Sequence, residues 1–118
     1  MTQQTNTTEL TGIARKSVIF SKILKKMILE NIGKEDISVP FLASKMNYST
    51  RQFQRLVKKY TGKPCNVFVR EVKLEQGKKL LEEGLYNVKE VSYMIGYSKP
   101  SWFSSQFRDY YGISPAKV

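Results

Sequence analysis

Between Ser49 and Gly62 stand Arg51, Gln54, Arg55 and Lys58, spaced i, i+3, i+4 and i+7, which is one stripe of an α-helix. The residue types on that stripe carry a definite chemistry. An arginine fork matches the two acceptors on the major-groove edge of guanine, a glutamine amide matches the donor and acceptor of adenine, and a lysine meets phosphate as a point charge. Phe53, Leu56, Val57 and Tyr60 repeat the same spacing on the other side and give the helix a face to bury. Arg51, Arg55, Lys58, Lys59 and Lys63 are also the densest basic run of the chain, with no acid between Met46 and Arg70. A basic run by itself is commonly a solvated face. Its meaning depends on what positions it.

A second, weaker set lies near the C-terminus. Phe103, Phe107, Tyr110 and Tyr111 make a stripe to bury, and Ser101, Ser104, Ser105 and Arg108 lie on the other side. Serines allow a helix to approach a groove closely but discriminate bases poorly, and Pro100 offers no polar group. Lys99, Pro100 and Arg108 suit backbone contact or the setting of an entry angle. Trp102 is read as packing at the helix edge.

Composition limits the alternatives. The 118 residues hold 20 Lys and Arg against 10 Asp and Glu, a net charge of +10, with 41% apolar residues, enough for one globular unit. Residues 41–118 hold +8 of that charge, so nucleic acid leads the candidate partners and an anionic membrane surface follows. No apolar run is long enough to span a membrane, and the polar start has no signal-peptide core. The single cysteine, Cys65, excludes a disulfide framework within the chain and fits a reducing compartment. There is no histidine, so the commonest general base and the usual zinc sites are missing. The carboxylates Glu71, Glu75, Glu82 and Glu83 read as helix-surface residues, and Cys65 reads as a small packing residue. An enzyme, a cofactor site and a metal site are all unexpected.

The elements that must hold the two polar faces follow from caps and breakers. Residues 1–15, rich in threonine, read as a polar tail or linker remnant. A first helix is expected from about Lys16 to Asn31, with Phe20, Ile23, Leu24, Met27 and Ile28 docking on a core rather than on a membrane, because its charges are mixed. Ser38 caps a short helix, and Ser49 with Gln52 has capping-box spacing for a helix ending at Gly62. Pro64 suits the first position of a long helix to Glu83, stopped by Gly84. Asn87 with Glu90 forms a second capping-box pattern for a short helix to about Ile95, and Ser98 is expected to cap a last helix to about Tyr111.

The pattern is a repeat. Met46-Asn47-Tyr48-Ser49 is echoed by Ile95-Gly96-Tyr97-Ser98, and Tyr60-Thr61-Gly62-Lys63-Pro64 by Tyr111-Gly112-Ile113-Ser114-Pro115. Tyr48 to Tyr97 is 49 residues and Gly62 to Gly112 is 50, so the second copy holds one extra residue. Each copy is a short helix, a tight turn and a longer helix, the helix-turn-helix plan. Ala43 and Ser92 supply the small residue at the crossing, Asn47 and Gly96 the turn residue tolerating positive φ. The expected fold is therefore all-α: one helix-turn-helix at about 38–62, a connecting helix at about 64–83, and a second helix-turn-helix at about 87–112. The connecting helix, about 30 Å long, nearly matches the 34 Å or so between successive major-groove faces. Gly77 within it costs roughly 1 kcal/mol relative to alanine, so it either admits close packing or is merely tolerated.

From about Ser21 to Ala116 these residues resemble the DNA-binding domain of AraC/XylS-type transcriptional regulators. The resemblance rests on the Tyr48-Ser49 and Tyr97-Ser98 turns, on Tyr60-Thr61-Gly62-Lys63-Pro64, on Gly112-Ile113-Ser114-Pro115, and on Phe68-Val69-Arg70 through Leu80-Leu81. Asn47 replaces a usual glycine, Lys73 a usual arginine and Gly77 a usual alanine. The resemblance implies bacterial, cytoplasmic control of transcription, usually activation, by two recognition helices in adjacent major grooves. It implies base contact by Arg51, Gln54, Arg55, Pro100, Ser101, Ser104 and Ser105. Backbone contact is expected from Ser49, Lys58, Lys59, Lys63, Ser98, Lys99 and Arg108. The expected partner is double-stranded DNA, with RNA polymerase and a sensory or receiver domain preceding this segment in a longer chain as further candidates. The rival is a protein-interaction module using Phe20, Leu24 and Met27, which leaves the Arg51–Lys63 cluster unexplained.

Overall fold

Ser38, Ser49 and Asn87 each precede an apolar-periodic run, and each starts a helix. Ser38 Oγ accepts the Phe41 N–H at 3.2 Å and Ser49 Oγ the Gln52 N–H at 3.2 Å. Asn87 closes a full capping box, its Oδ1 accepting from Glu90 N at 2.8 Å while Glu90 Oε1 accepts from Asn87 N at 2.9 Å. The structure, a computed structural model, describes residues 8–33 and 37–118, with the backbone alone at residues 8–11, 13 and 14. The helices are α1 (Thr8–Glu30), α2 (Val39–Lys45), α3 (Thr50–Thr61), α4 (Cys65–Glu83), α5 (Val88–Met94) and α6 (Pro100–Tyr111), followed by a 3-10 turn at Pro115–Lys117. Among the described residues there is no strand, so the fold is all-α.

Three boundaries differ from the sequence expectation. Helix α1 begins at Thr8 rather than Lys16, so residues 8–15 are helical and not tail. Residues 1–7 of that expected tail lie outside the described residues. Gly12 is the poorest helix former on the way, and each residue added to an anchored helix gains a hydrogen bond. Pro64 is the N-cap of α4 rather than its first residue: it is extended (φ −59°, ψ 151°) and its carbonyl accepts from Phe68 N at 3.0 Å. Lys99, not Ser98, is the N-cap of α6. Pro100 drives its predecessor out of the helical region, and Lys99 sits at φ −132°, ψ 123°. The extra residue of the second copy is therefore absorbed in the extended stretch before α6.

The two turns close identically. Tyr48 N–H donates to the Ala43 carbonyl at 2.9 Å and Asn47 N–H to Ser44 at 3.1 Å; Tyr97 N–H donates to Ser92 at 2.9 Å and Gly96 N–H to Tyr93 at 3.1 Å. This is the paired-bond ending that requires a left-handed residue after the helix, supplied by Asn47 (φ 62°) and Gly96 (φ 92°). At Gly96 there is a second demand. A Cβ there would sit 2.5 Å from the Ile32 carbonyl oxygen, because the turn after α1 lies directly on it.

Two cores result. The first holds Phe20, Leu24 and Ile28 of α1, Leu42 and Ala43 of α2, Phe53 and Val57 of α3, and Cys65, Val69 and Val72 of α4. The second holds Leu74 of α4, Val91 and Ile95 of α5, and Phe103 and Phe107 of α6, with Leu80 and Leu81 packed on it. Gly77 is buried against this second core, its Cβ position 3.0 Å from Ile95 Cδ1 and 3.1 Å from the Phe103 ring. Close packing, not tolerance, explains it. Two lobes make an extended particle: the radius of gyration is 16.7 Å, against about 13.5 Å for one compact domain of this length.

Two residues expected inside are not. Ile23 and Tyr110 are exposed, because each lies at the margin of its stripe; Tyr110 instead donates its hydroxyl to Glu75 at 3.2 Å.

Gly96→Ala combines left-handed strain with a backbone clash, so it is expected to lower stability by at least about 1–3 kcal/mol in denaturant melts. Asn47→Gly, which asks for the same turn without the clash, is expected to stay within about 1 kcal/mol of the parent.

Candidate nucleic-acid interface

On α3 the burial splits as the spacing requires. Phe53 and Val57 are wholly buried, Leu56 and Tyr60 partly so, and Arg51, Gln54, Arg55, Lys58 and Lys59 are exposed. Those five polar residues lie with Ser49, Gln52 and Leu56 on one open surface of the helix. Lys58 also donates to the Gly62 carbonyl at 3.2 Å, and the Lys59 ammonium lies 5.5 Å from the Tyr60 ring centre. The helix has no acid in its first turn, so its N-terminal dipole end and its side chains have the same sign for an incoming anion.

Lys63 departs from the expected group. Its ammonium bonds the Glu71 carboxylate on α4. A lysine neutralised in this way has less charge to offer a phosphate than Lys58 or Lys59.

On α6 the register is shifted by the one extra residue, so Phe103 and Phe107 occupy the places of Phe53 and Val57. Ser101, Ser105 and Arg108 then occupy those of Arg51, Arg55 and Lys58. Ser101, Ser105 and Arg108 are exposed, as are Ser98 and Lys99, while Ser104 and Pro100 are half-buried. Trp102 is not packed on the second core. It is 53% exposed, with the Lys99 ammonium 5.0 Å from its ring centre, so the outer face of α6 carries an aromatic as well as serines. Tyr97, Phe103, Phe107 and Tyr111 form a chain of ring contacts at 5.5, 5.5 and 4.7 Å that fixes the helix on its core.

The structure adds residues that the spacing had not singled out. Asn66, Arg70 and Lys73 of α4 line a cleft with Val69, and with Tyr97 and Gln106 of the second unit. Their i, i+4, i+7 spacing was visible, but their position beside a second helix-turn-helix was not. Burial lowers the Lys73 pKa from the usual lysine value. Burial also pushes Tyr97 up to about 12, with the Arg70 guanidinium pulling the other way. Cys65 is buried in the first core and burial raises its thiol to about 11, the behaviour of a packing residue. Among the described residues no cluster of His, Cys, Asp and Glu is arranged to hold a metal, and no helix is long and apolar enough to cross a membrane.

Comparison with known proteins agrees with this geometry. Residues 42–118 match the family described as a helix-turn-helix domain. The probable transcription factor PqrA of Proteus vulgaris is 27% identical over 84% of this chain and 81% of its own length. Histidine kinase P4 of Formosa agariphila is 26% identical over 86% of this chain, which spans 8% of that protein. The DNA-binding domain of AdpA, a global transcriptional factor solved in complex with a target DNA, superposes with a TM-score of 0.74. It is 29% identical and covers 82% of this chain and 86% of that one. The chain belongs to the AraC-type helix-turn-helix family of DNA-binding transcription regulators.

The ion pair with Glu71 separates Lys63 from its neighbours. Lys63→Gln is expected to leave the slope of log affinity against log salt for duplex DNA nearly unchanged, and Lys58→Gln to reduce it by about one.

Proposed function

We propose that this chain binds a specific duplex site with α3 and α6 in two adjacent major-groove segments on one side of the DNA. The carrying observation is that two helices with the same turn and the same buried register stand at opposite ends of one helix that is part of both cores. In this reading Arg51, Gln54 and Arg55 read base edges. Ser101, Ser104 and Ser105, with Pro100, provide a close but less discriminating approach. Ser49, Lys58, Lys59, Ser98, Lys99 and Arg108 hold the backbone, and Lys63 contributes less than its neighbours.

We extend the reading to activation of transcription in the cytoplasm, with RNA polymerase as the further partner. The face of α1 turned from the core exposes Val18, Ile19 and Ile23 among Arg15, Lys16, Lys22 and Lys26, a surface for protein contact. The similarity to a small part of a histidine kinase and to most of PqrA supports an output unit that works with or without a sensory domain. No residue here is assigned a catalytic role.

Selection from a randomised duplex library at near-physiological salt tests the reading. Two enriched blocks, centred about 10 base pairs apart, are expected. Arg51→Ala and Arg55→Ala should each weaken binding to the selected site by about 1–3 kcal/mol and relax one block only. A single block would remove α6 from base reading. No enrichment, with binding that disappears as salt rises, would leave phosphate attraction alone and end the sequence-specific reading.

A further inference from the structure

Helix α4 keeps one of its sides free of carboxylates. At about 100° per residue, Glu71, Glu75 and Glu82 lie on one side of the helix and Asn66, Arg70 and Lys73 on the other. Two of the acids on the first side are occupied: Glu71 by Lys63, and Glu75 by Lys25 at 3.8 Å and by the Tyr110 hydroxyl. Among the described residues neither Arg70 nor Lys73 has a carboxylate partner within ion-pair distance. Arg70 is exposed. Lys73 is half-buried beside the second turn, its ammonium 5.7 Å from the Tyr97 ring centre and 3.5 Å from where a Cβ on Gly96 would stand. Holding an ammonium in that position without an anion is unfavourable, and an arriving anion relieves it.

The same side of α4 joins the two recognition helices. Asn66 shares one hollow with Gln54 and Lys58 of α3 and a second with Arg70, Lys73, Tyr97 and Gln106. Gln106 takes the Tyr97 hydroxyl on its Oε1, which leaves its amide N–H groups to donate elsewhere. A polar, basic track therefore runs from α3 along α4 to α6. From Asn66 to Lys73 it is about 10 Å long, enough to face phosphates on both sides of a minor groove about 6 Å wide.

We infer that Asn66, Arg70, Lys73 and Gln106 form a phosphate-binding saddle that grips the DNA backbone bordering the minor groove between the two recognition helices. The saddle rests on the two-groove reading above and gives α4 a binding role besides its spacing role. Its ligand is backbone phosphate, so it adds affinity and fixes the position of the duplex without reading sequence.

The test compares the full chain with Arg70→Gln, Lys73→Met and the double variant on the selected duplex, with Lys79→Gln, exposed on the other side of α4, as control. Lys73→Met keeps an unbranched stem over Tyr97, and thermal midpoints check that each variant is folded. The salt slope is expected to fall by about one for each single variant and about two for the double, with the selected base preferences unchanged. In a second measurement, neutral methylphosphonates replace the phosphates between the two blocks. They are expected to weaken the parent protein several-fold and the double variant hardly at all. A parent-like slope in the double variant, an equal loss in Lys79→Gln, or equal weakening of parent and double variant by the neutral linkages would each overturn the saddle. If the parent protein enriches no two-block motif, the two-groove reading fails and the saddle with it. If it enriches one and the slopes do not move, the saddle alone fails.

Discussion

One helix belongs to two hydrophobic cores, and the rest of the molecule depends on that sharing. Cys65, Val69 and Val72 commit the first half of α4 to one lobe, and Leu74, Gly77 and Leu81 commit the second half to the other. Between Val72 and Leu74 there is a single residue, Lys73, so the two cores meet without a flexible joint. The missing side chain at Gly77 lets Phe103 and Ile95 approach the helix axis. Without that approach α6 would stand further out and at another angle. The turn after α1, with Ile32 on Gly96, provides a second connection between the lobes at a different place. Two attachments resist a hinge motion that one alone would permit.

That rigidity gives the electrostatic sorting its effect. A net charge of +10 on a flexible pair of lobes would be a diffuse attraction for any polyanion. Here Glu75 and Glu71 of α4 are turned toward α1 and Lys63, while among the described residues the basic side chains of α3 and the central cleft have no carboxylate partner. The lobes are also unequal in chemistry. The first presents arginine, glutamine and lysine on a strongly basic helix; the second presents serines, a proline and an exposed tryptophan. An asymmetric pair of surfaces on a fixed frame distinguishes the two orientations of a duplex, which a symmetric pair does not.

Much of this was legible in the sequence, for local reasons. Caps, helix-ending glycines and the 3.6-residue period depend on neighbours in the chain, so Ser38, Ser49, Asn87, Gly62, Gly84 and Gly112 all mark real boundaries. The repeat gave the crossing residues Ala43 and Ser92 their meaning. What was not legible depended on distant partners or on competing local rules. Ser98 looked like a cap, but the restriction that Pro100 places on Lys99 moved the start of α6 by one residue. Lys63 resembled its basic neighbours until folding brought Glu71 beside it. Trp102 and Tyr110 are large and aromatic, yet both lie outside the arc that the second core covers. The cleft at Arg70 and Lys73 exists only once the second lobe has docked.

The extra residue of the second copy changes neither buried face, because it falls in extended backbone before α6. The same insertion one turn later would rotate every following side chain by about 100°, carrying Gln106 into the buried place of Phe107 and Phe107 out of the core. The rotation of each of these helices is thus keyed by its two buried anchors, Phe53 and Val57 or Phe103 and Phe107. The outward residues form an interchangeable alphabet on a socket that occurs twice. In the two-groove reading, duplication followed by drift can rewrite one half of the target site while the other half, and the frame that spaces them, stays as it was.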